Sequence, residues 1–324
     1  MLVSSNTKAK HIYKNAIKGM AVNMSCDKAK AAFANNADIM RFTPDDMVHA
    51  NPAKAFKGKP GSGDGSNGQT TPWSVTRLGG PVDGSNYTAW VLDSGIDLDH
   101  ADLNVVSSRG FNAFTKGRDA GVDDGNGHGT HVTGTIAALD NNIDVVGVAT
   151  GAKVLPIKVL DSRGSGSWSG VLAGIDHVAT NASAGDCANM SLGGGFNQEL
   201  NDAVENAPQR SGAFFVIAAG NESQHASNVS AASASHNRVF TISATDSNDH
   251  FASFSNYGNP PVDYAAPGVS ILSTLSGGGT TTMSGTSMAS PAACAVIMMS
   301  NGNPSVDGKA INDPDGNANS IVHL

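Results

Sequence analysis

Apolar runs of strand length alternate with helix-like segments along most of the chain. Five such runs end in Gly, Asp or Asn: YTAWVLDSG, KVLPIKVLDSRG, ANMSLGGG, GAFFVIAAGN and RVFTISATD. The intervening HGTHVTGTIAAL and SGVLAGIDHVA carry apolar residues three or four positions apart, as amphipathic helices do. This alternation predicts an α/β fold with a mostly parallel sheet flanked by helices. Ligands of such sheets bind at the carboxyl ends of strands, so the polar residues that end these runs are candidates for chemistry.

A polar, glycine-rich stretch divides the chain. Residues 51–68, NPAKAFKGKPGSGDGSNG, carry few apolar side chains and predict an exposed linker between residues 1–50 and residues 69–324. The first unit combines a helix-like stretch with a strand-like one around Asp38 to Phe42, which predicts a small α+β unit.

Composition narrows the possible partners. Lys and Arg total 20 against 28 Asp and Glu, so the chain lacks the basic surface of a nucleic-acid-binding protein. It also has no apolar run long enough to span a bilayer, and its first residues lack the apolar segment of a signal peptide. We therefore expect a soluble monomer with neither nucleic-acid nor membrane partners.

The cysteine content is low. Three cysteines are too few for a disulfide framework, and Cys294, in the apolar stretch PAACAVIMM, is expected to be a buried thiol.

Three polar residues in distinct motifs suggest nucleophilic catalysis. Asp93 ends the first strand-like run, His128 opens a helix-like segment in NGHGTHVTG, and Ser287 lies between a turn and an apolar helix in SGTSMASP. Alone, each is unremarkable, because an Asp in that position is usually a turn residue. Together they supply a hydroxyl, an imidazole that accepts its proton and a carboxylate that orients the imidazole.

The segments VLDSGID, NGHGTHVTG and SGTSMASP resemble the signature segments of the subtilase family. The likeness extends from about Gln69 to Met299 and is strongest to the proteinase K and subtilisin branches. It implies a subtilisin-like three-layer fold and serine endopeptidase activity. Ser287 would be the nucleophile, His128 the general base, Asp93 its orienting carboxylate and Asn221, in AAGNES, the oxyanion donor.

The same resemblance implies a groove that holds an extended peptide as an added strand. Its two backbone edges would be Gly164, Ser165 and Gly166 on one side and Ser191, Leu192 and Gly193 on the other. Pocket residues would be Trp168, Val171 and Leu192 for the S4 wall, and Ala218, Ala219, Gly220 and Glu222 for S1. We expect protein and peptide substrates with an apolar or aromatic P1 side chain, while Glu222 could also accept Lys or Arg.

Structural calcium is a further expectation from the resemblance. The ligands of a strong site would be Gln69, Asp102, Asn141 and the carbonyls of Leu139, Ile143 and Val145. A second, weaker cation site would use Asp263 with the carbonyls of Asn237 and Val239. Calcium prefers six to eight oxygen ligands of these kinds.

Residues 11–50 resemble the C-terminal half of the family's inhibitory propeptide, so residues 1–50 are interpreted as an N-terminally shortened intramolecular inhibitor. Autoprocessing would then occur between Ala50 and Gln69, and the family implies secretion. The tail after the Ser287 motif is short for the family, which predicts uncovered apolar surface around Ile297, Met298 and Met299.

Other functions remain open at this stage. His128 and His131 are spaced as zinc ligands on a helix sometimes are, although no third ligand motif is evident. GSGSWSG follows a strand but lacks the spacing of a nucleotide-binding loop. A non-enzymatic binding protein on a subtilase scaffold is the third alternative.

Overall fold

The computed structural model describes residues 8–34, 36–50 and 68–324. The N-terminal unit consists of an antiparallel pair, β1 (Ala9–Tyr13) and β2 (Gly19–Val22), then helix α1 (Cys26–Phe33) and strand β3 (Met47–Ala50). This is the expected α+β composition. Most of the predicted linker, residues 51–67, lies outside the described residues.

The strand predicted around Asp38 to Phe42 is wrong. These residues form no regular element, and the side chain of Met40 is 94% exposed. Arg41 instead reaches the main unit, where its guanidinium lies 3.1 Å from the carboxylate of Glu199. A strand-like segment forms a strand only where a partner strand is available, and none pairs with this segment among the described residues.

Residues 68–324 contain the remaining helices and strands. In chain order these are α2 (Trp73–Arg77), β4 (Val82–Asp83), β5 (Thr88–Asp93), β6 (Phe111–Asn112), α3 (His128–Ala137), β7 (Ala149–Thr150), β8 (Lys153–Lys158), β9 (Ser165–Ser167), α4 (Trp168–Asn181), β10 (Cys187–Met190), β11 (Leu192–Gly195), α5 (Gln198–Ser211), β12 (Phe214–Ala218), β13 (Val229–Ser230), β14 (Val239–Thr245), β15 (Val262–Pro267), β16 (Ile271–Thr274), β17 (Thr280–Met283), α6 (Thr286–Met299), β18 (Ser305–Lys309) and β19 (Ser320–His323).

A nine-stranded sheet forms the centre of this unit. Its strand order is β18-β19-β15-β14-β12-β10-β5-β8-β6, and all neighbours pair in parallel except β18 and β19. The five apolar runs of the sequence become β5, β8, β10 with β11, β12 and β14, as predicted.

Helices cover both faces of the sheet, which confirms the expected three-layer α/β fold. Alternate residues of β5 show the division: Ala89 and Val91 belong to the apolar cluster with α3 and α6, whereas Trp90 and Leu92 belong to the cluster with α4 and α5. All four are fully buried. Within the described ranges, no helix is long and apolar enough to cross a membrane.

The end of α6 is covered, contrary to the sequence-based expectation. Ile297 and Met298 are buried, and only Met299 is partly exposed. Strand β19 pairs with β15 and contributes Ile321 and Val322 to the same apolar cluster. Strand β19 thus packs in the same apolar cluster as the end of α6, which the tail was expected to leave uncovered.

A disulfide joins the middle of the sheet to α6. Cys187 on β10 is bonded to Cys294 on α6 across 107 residues, whereas Cys26 is free. The expectation of a buried thiol at Cys294 is therefore wrong, although its burial is correct. The apolar context predicted burial, but it could not indicate which distant element would bring a second cysteine into contact.

Candidate active site

The candidate residues meet at the carboxyl ends of three adjacent parallel strands. Asp93 ends β5, Ser191 follows β10, and Asn221 lies three residues beyond the end of β12. Strands β5, β10 and β12 are neighbours in the sheet, so their carboxyl ends converge on one edge. This is where an open parallel sheet forms its binding crevice.

Asp93 holds His128 through one ring nitrogen. Nδ1 of His128 lies 2.8 Å and 2.9 Å from the two carboxylate oxygens of Asp93, and both residues are buried. A carboxylate can only accept here, so Nδ1 carries the proton and Nε2 is the basic nitrogen of the neutral ring. Burial opposes a charge on His128, but the nearby Asp93 carboxylate outweighs it and raises the His128 pKa.

The first turn of α3 is fixed by Asp124, a residue that the sequence motifs did not indicate. Its carboxylate accepts hydrogen bonds from the backbone N–H of Gly127 and of Thr130, each at 2.9 Å. It also accepts the hydroxyl of Ser94, whose oxygen accepts the N–H of Gly129 at 3.0 Å. An acid at a helix N-terminus satisfies the N–H groups that lack helical partners. His128 therefore starts from a rigid turn.

Lys158 is a buried residue that fixes the loops around Asp93 and Asp124. It ends β8, pairs in register with Asp93, and is only 1% exposed. Its ammonium donates to the carbonyls of Ser94 and Asp123. A buried charge of this kind is costly unless it is hydrogen-bonded, and here it fixes the two loops that carry the partners of His128.

Ser287 lies in the first turn of α6 and exchanges hydrogen bonds with Ser191. The Ser287 hydroxyl donates to the Ser191 carbonyl at 3.1 Å, and the Ser191 hydroxyl donates to the Ser287 carbonyl at 2.9 Å. The second bond follows from the sequence, because Pro291 has no N–H to offer the carbonyl four residues earlier. Ser191 takes the place of the missing helical donor.

The basic nitrogen of His128 points away from the Asp93 carboxylate. Nε2 of His128 is buried and has no hydrogen-bond partner within the described part of the chain. Helices α3 and α6 pack against one another on the same face of the sheet. Hydrogen bonds between catalytic groups are often long before substrate binds, so this geometry is compatible with proton transfer in a complex.

Asn221 presents a buried, unsatisfied donor beside Ser287. Its side-chain oxygen accepts the N–H of Thr286 at 2.9 Å and the Thr286 hydroxyl at 3.0 Å. Its amide nitrogen, Nδ2, is buried and donates to no group among the described residues. An unsatisfied buried donor costs roughly 1 to 3 kcal/mol, so its presence next to the candidate nucleophile favours a role in binding an oxygen atom.

The chain's own segment Met47–Ala50 occupies the predicted groove. Strand β3 pairs antiparallel with β9 on one side, where Val48 lies opposite Gly166, and with β11 on the other, where Ala50 lies opposite Leu192. The N–H of Ala50 also donates to the carbonyl of Gly164 at 2.9 Å. The two backbone edges named from the sequence thus hold an extended segment as a middle strand.

Side chains of the groove divide into an apolar wall and a small cavity. Val48 is fully buried in the apolar cluster that includes Trp168, Val171 and Leu192. Three of the residues named for S1, Ala218, Gly220 and Glu222, line the cavity together with residues that the sequence did not assign to S1: Gly193, Gly194, Val229, Ser230 and Ala232. Ala219, which we expected in this wall, is instead fully buried in the core.

The loop predicted to bind calcium brings its oxygen atoms together. The side-chain amide of Gln69 contacts the carbonyls of Leu139 and Val145, and Asp102 accepts the N–H of Val145 at 3.3 Å. The other oxygen of Asp102 is buried without a hydrogen-bond partner within the described residues, and burial raises the Asp102 pKa to about 7. The loop also contains Asn141, whose side-chain oxygen accepts the N–H of Ile143 at 3.1 Å.

These residues fit a hard cation. Carbonyls, amide oxygens and one carboxylate are the donor set that calcium prefers, and the orphaned oxygen of Asp102 lacks the partner that a cation would provide. No cluster of three His, Cys, Asp or Glu side chains suited to a metal occurs in the described ranges, so carbonyl oxygens would have to supply most of the ligands.

The second predicted cation site is less well defined. Asp263 on β15 is exposed and accepts the N–H of Thr241 at 2.8 Å. Val239 lies on the neighbouring strand β14, and Asn237 precedes it. Among the described residues, no contact joins the carbonyls of Asn237 and Val239 to Asp263. This second site therefore stays a prediction.

His131 does not share a site with His128. Its Nε2 lies 3.1 Å from the carbonyl of Ile271, and burial lowers its pKa to about 3. Thus His131 faces a backbone carbonyl, whereas His128, three residues earlier on α3, faces the Asp93 carboxylate. This arrangement does not favour a shared zinc ion.

Comparison with known proteins is consistent with this geometry. Residues 84–313 match the model of the family described as "Subtilase family". The chain belongs to the subtilase family, a family of serine endopeptidases. The subtilisin-like serine protease AsES of Sarocladium strictum is 38% identical over 306 residues, which cover 88% of this chain and 70% of the relative. Proteinase R of Parengyodontium album is 36% identical over 300 residues, which cover 88% of this chain and 70% of that relative.

A third relative and a solved structure complete the comparison. Subtilisin-like protease 1 of Arthroderma otae is 45% identical over 213 residues, which cover 64% of this chain but 41% of the relative. The crystal structure of a cold adapted subtilisin-like serine proteinase superposes with a TM-score of 0.69 and 35% identity, covering 80% of this subtilase and 98% of that chain.

Proposed function

We propose that this subtilase hydrolyses peptide bonds through an acyl-enzyme on Ser287, with His128, Asp93 and Asn221 as its partners. The observation that carries the proposal is the unsatisfied Nδ2 of Asn221, held beside the first turn of α6 by Thr286. An amide donor held available beside the candidate nucleophile is what stabilisation of an oxyanion requires.

Each group would have its own role in this mechanism. His128 Nε2 takes the proton of the Ser287 hydroxyl as its oxygen attacks the scissile carbonyl. Asn221 Nδ2 and the backbone N–H of Ser287 donate to the oxyanion that forms. His128 then returns the proton to the leaving amine, and water, activated by the same nitrogen, releases the acyl group. Asp93 keeps the proton on Nδ1 throughout, so Nε2 remains the working nitrogen.

Substrates would bind as β3 does. The segment between β9 and β11 is extended and its backbone is hydrogen-bonded on both edges, so affinity for a polypeptide needs no particular sequence. The apolar wall around Trp168 and the small S1 cavity favour apolar or aromatic side chains. Glu222 at the cavity adds a minor preference for Lys or Arg at P1.

Replacement of the nucleophile tests this function. Ser287→Ala should lower kcat on casein and on a chromogenic peptide by at least about 10⁴-fold, because no other group can form the acyl-enzyme. Asn221→Ala should lower kcat by about 10²- to 10³-fold with little change in KM, since its donor acts only on the transition state.

The exposed Ser305→Ala serves as a matched control and should retain wild-type rates. A serine-directed fluorophosphonate should label wild type and the control but not Ser287→Ala. Equal rates in wild type and Ser287→Ala would contradict the mechanism, and an inert wild type would favour the binding-protein alternative.

The pH dependence follows from the His128–Asp93 pair. Only neutral His128 accepts the serine proton, so kcat/KM should fall as the pH drops through the His128 pKa. Because Asp93 raises that pKa, the midpoint of the acid limb should lie above the ordinary value of about 6.5. Asp93→Asn should move the midpoint to lower pH and reduce kcat by about 10⁴-fold. An acid limb that is absent, or unmoved in Asp93→Asn, would disagree with this assignment.

The loop of residues 139–145 would hold structural calcium. The ligands would be Gln69, Asp102, Asn141 and the carbonyls of Leu139, Ile143 and Val145, and the ion would supply the positive charge that buried Asp102 lacks. The oxygen and nitrogen of the Gln69 amide exchange places on a half-turn, so it can present an oxygen to the ion. The site lies away from the catalytic groups and would act on stability.

Chelation of calcium should therefore lower thermal stability. At a calcium concentration about 100 times its Kd, binding would contribute about 2.7 kcal/mol, which EGTA should remove. Thermal unfolding is best measured in Ser287→Ala, which cannot digest itself. Asp102→Asn should abolish most of the calcium-dependent rise in Tm, whereas the exposed Asp140→Asn in the same loop should retain it. A Tm that is identical with calcium and with EGTA would argue against the site.

The N-terminal unit would inhibit the enzyme by occupying its groove. In addition to the pairing of β3, the carboxylate of Asp45 accepts hydrogen bonds from the N–H and the hydroxyl of Ser169 at the start of α4. Asp176 on α4 accepts the backbone N–H groups of Asn15 and Ala16 at 2.7 Å and 2.8 Å. Such charge-assisted hydrogen bonds keep the unit docked while its last strand blocks substrate.

Loss of this anchor should hasten activation. Processing is expected between Ala50 and Gln69, so N-terminal sequencing of active protein should find a new terminus in that interval, and Ser287→Ala should remain uncut. Asp176→Ala should shorten the lag before activity appears, because the N-terminal unit dissociates sooner. Exposed Asp99→Ala should keep the wild-type lag. Activity that appears without a lag, with Met1 still in place, would contradict inhibition.

Secretion is proposed on chemical grounds as well as by family. The buried disulfide between Cys187 and Cys294 is a kind of bond that forms and persists mainly in oxidising compartments.

A further inference from the structure

Asn256 forms a hub of hydrogen bonds behind the candidate oxyanion site. It is fully buried in the segment FSNYG, between β14 and β15. Its side-chain oxygen accepts the N–H of Glu222 at 3.1 Å and of Gln224 at 3.0 Å. Its side-chain nitrogen donates to the carbonyl of Ala219 at 2.9 Å and to the carboxylate of Glu222 at 2.6 Å. One amide thus satisfies four groups of a single loop.

These contacts bracket Asn221. The carbonyl of Gly220, just before Asn221, accepts the backbone N–H of Asn256 at 2.9 Å, and the N–H of Glu222, just after it, donates to the Asn256 side chain. Both peptide groups that flank Asn221 are therefore held by one residue. Since Thr286 holds the side-chain oxygen of Asn221, the direction of Nδ2 is determined from two sides.

The close fit of Gly220 shows how tightly this hub is packed. Gly220 has a φ of +102°, and a Cβ there would collide with the Asn256 amide and lie 2.5 Å from the Glu222 carboxylate. Only glycine allows the loop to pass this near to Asn256.

Asn256 also sets the position of the Glu222 carboxylate. Glu222 lines the small cavity proposed as S1, and its side chain is largely exposed, so its rotamer is not fixed by packing. The hydrogen bond from Asn256 is the contact that orients the carboxylate within the described residues. A cationic P1 side chain would meet an acceptor whose place Asn256 determines.

We propose that Asn256 is a positioning residue that couples two properties of this subtilase: the alignment of the oxyanion donor Asn221, and the P1 charge preference conferred by Glu222. The inference rests on the proposed catalytic function. It assigns control over both turnover and selectivity to a buried side chain for which the sequence predicted no role.

Kinetics with two chromogenic peptides that differ only in P1, Phe or Lys, would separate these effects. Rates are expressed per active site titrated with a fluorophosphonate, so loss of folded protein does not enter kcat. Asn256→Ala should lower kcat about 10- to 100-fold on both peptides, because Asn221 is no longer held in line. It should also lower the Lys-to-Phe ratio of kcat/KM about fivefold, the scale of a partly exposed ion pair.

Glu222→Gln provides the matched background. There Asn256→Ala should still lower kcat to the same extent but should leave the Lys-to-Phe ratio unchanged, because no carboxylate remains to be positioned. Asn256→Asp keeps the acceptor for the N–H groups of Glu222 and Gln224 but loses the donor to the Ala219 carbonyl and the Glu222 carboxylate. Its Lys-to-Phe ratio of kcat/KM should therefore fall as in Asn256→Ala, because the Glu222 carboxylate is no longer held in place.

Three results would overturn the inference. The first is a wild-type kcat per titrated site in Asn256→Ala. The second is a ratio shift that persists in the Glu222→Gln background. If Asn256→Ala does not fold, the third is a Lys-to-Phe ratio in Asn256→Asp that equals the wild-type ratio. Failure of the proposed function itself would look different, because Ser287→Ala would then match wild type.

Discussion

The exchange of hydrogen bonds between Ser191 and Ser287 joins the centre of the sheet to the first turn of α6. The Ser287 carbonyl cannot receive a helical N–H, because Pro291 occupies the position four residues later. Ser191 supplies the missing donor and accepts the Ser287 hydroxyl in return. The start of α6 is thus tied to the strand end beside it, and Asn221, held by Thr286, is tied to the same turn. Ser287 and Asn221 therefore share one anchor.

A second buried polar network holds His128. Asp93, Asp124, Lys158 and Ser94 are all nearly or fully inaccessible to water, yet each has hydrogen-bond partners. In a medium of low polarity, such groups cost much when unpaired and are strongly directional when paired. The orientation of His128 is therefore built into the fold before any substrate binds. At the candidate active site, Nε2 of His128 and Nδ2 of Asn221 are among the buried polar atoms without partners in the described residues.

The motifs predicted the strand ends and helix starts that carry Asp93, His128 and Ser287, because apolar periodicity and glycine positions are local properties. They did not predict Asp124, Lys158 or Asn256, whose importance depends on which distant backbone groups they meet. The disulfide and the covering of Ile297 by β19 were missed for the same reason, since both depend on elements far apart in the chain. The false strand around Asp38 to Phe42 shows the converse: a local pattern without a partner strand has no structural effect.

The extended conformation of β3 has a consequence for what this subtilase can digest. A chain that pairs on both edges must be detached from its own secondary structure over at least the four residues from Met47 to Ala50. That corresponds to about 13 Å of extended backbone. Compact proteins expose such stretches at loops and termini or through transient local opening. When opening is fast relative to cleavage, the rate of digestion follows the population of the opened form. On the proposed function, the enzyme would therefore sort proteins by their local conformational stability before any pocket discriminates between their side chains.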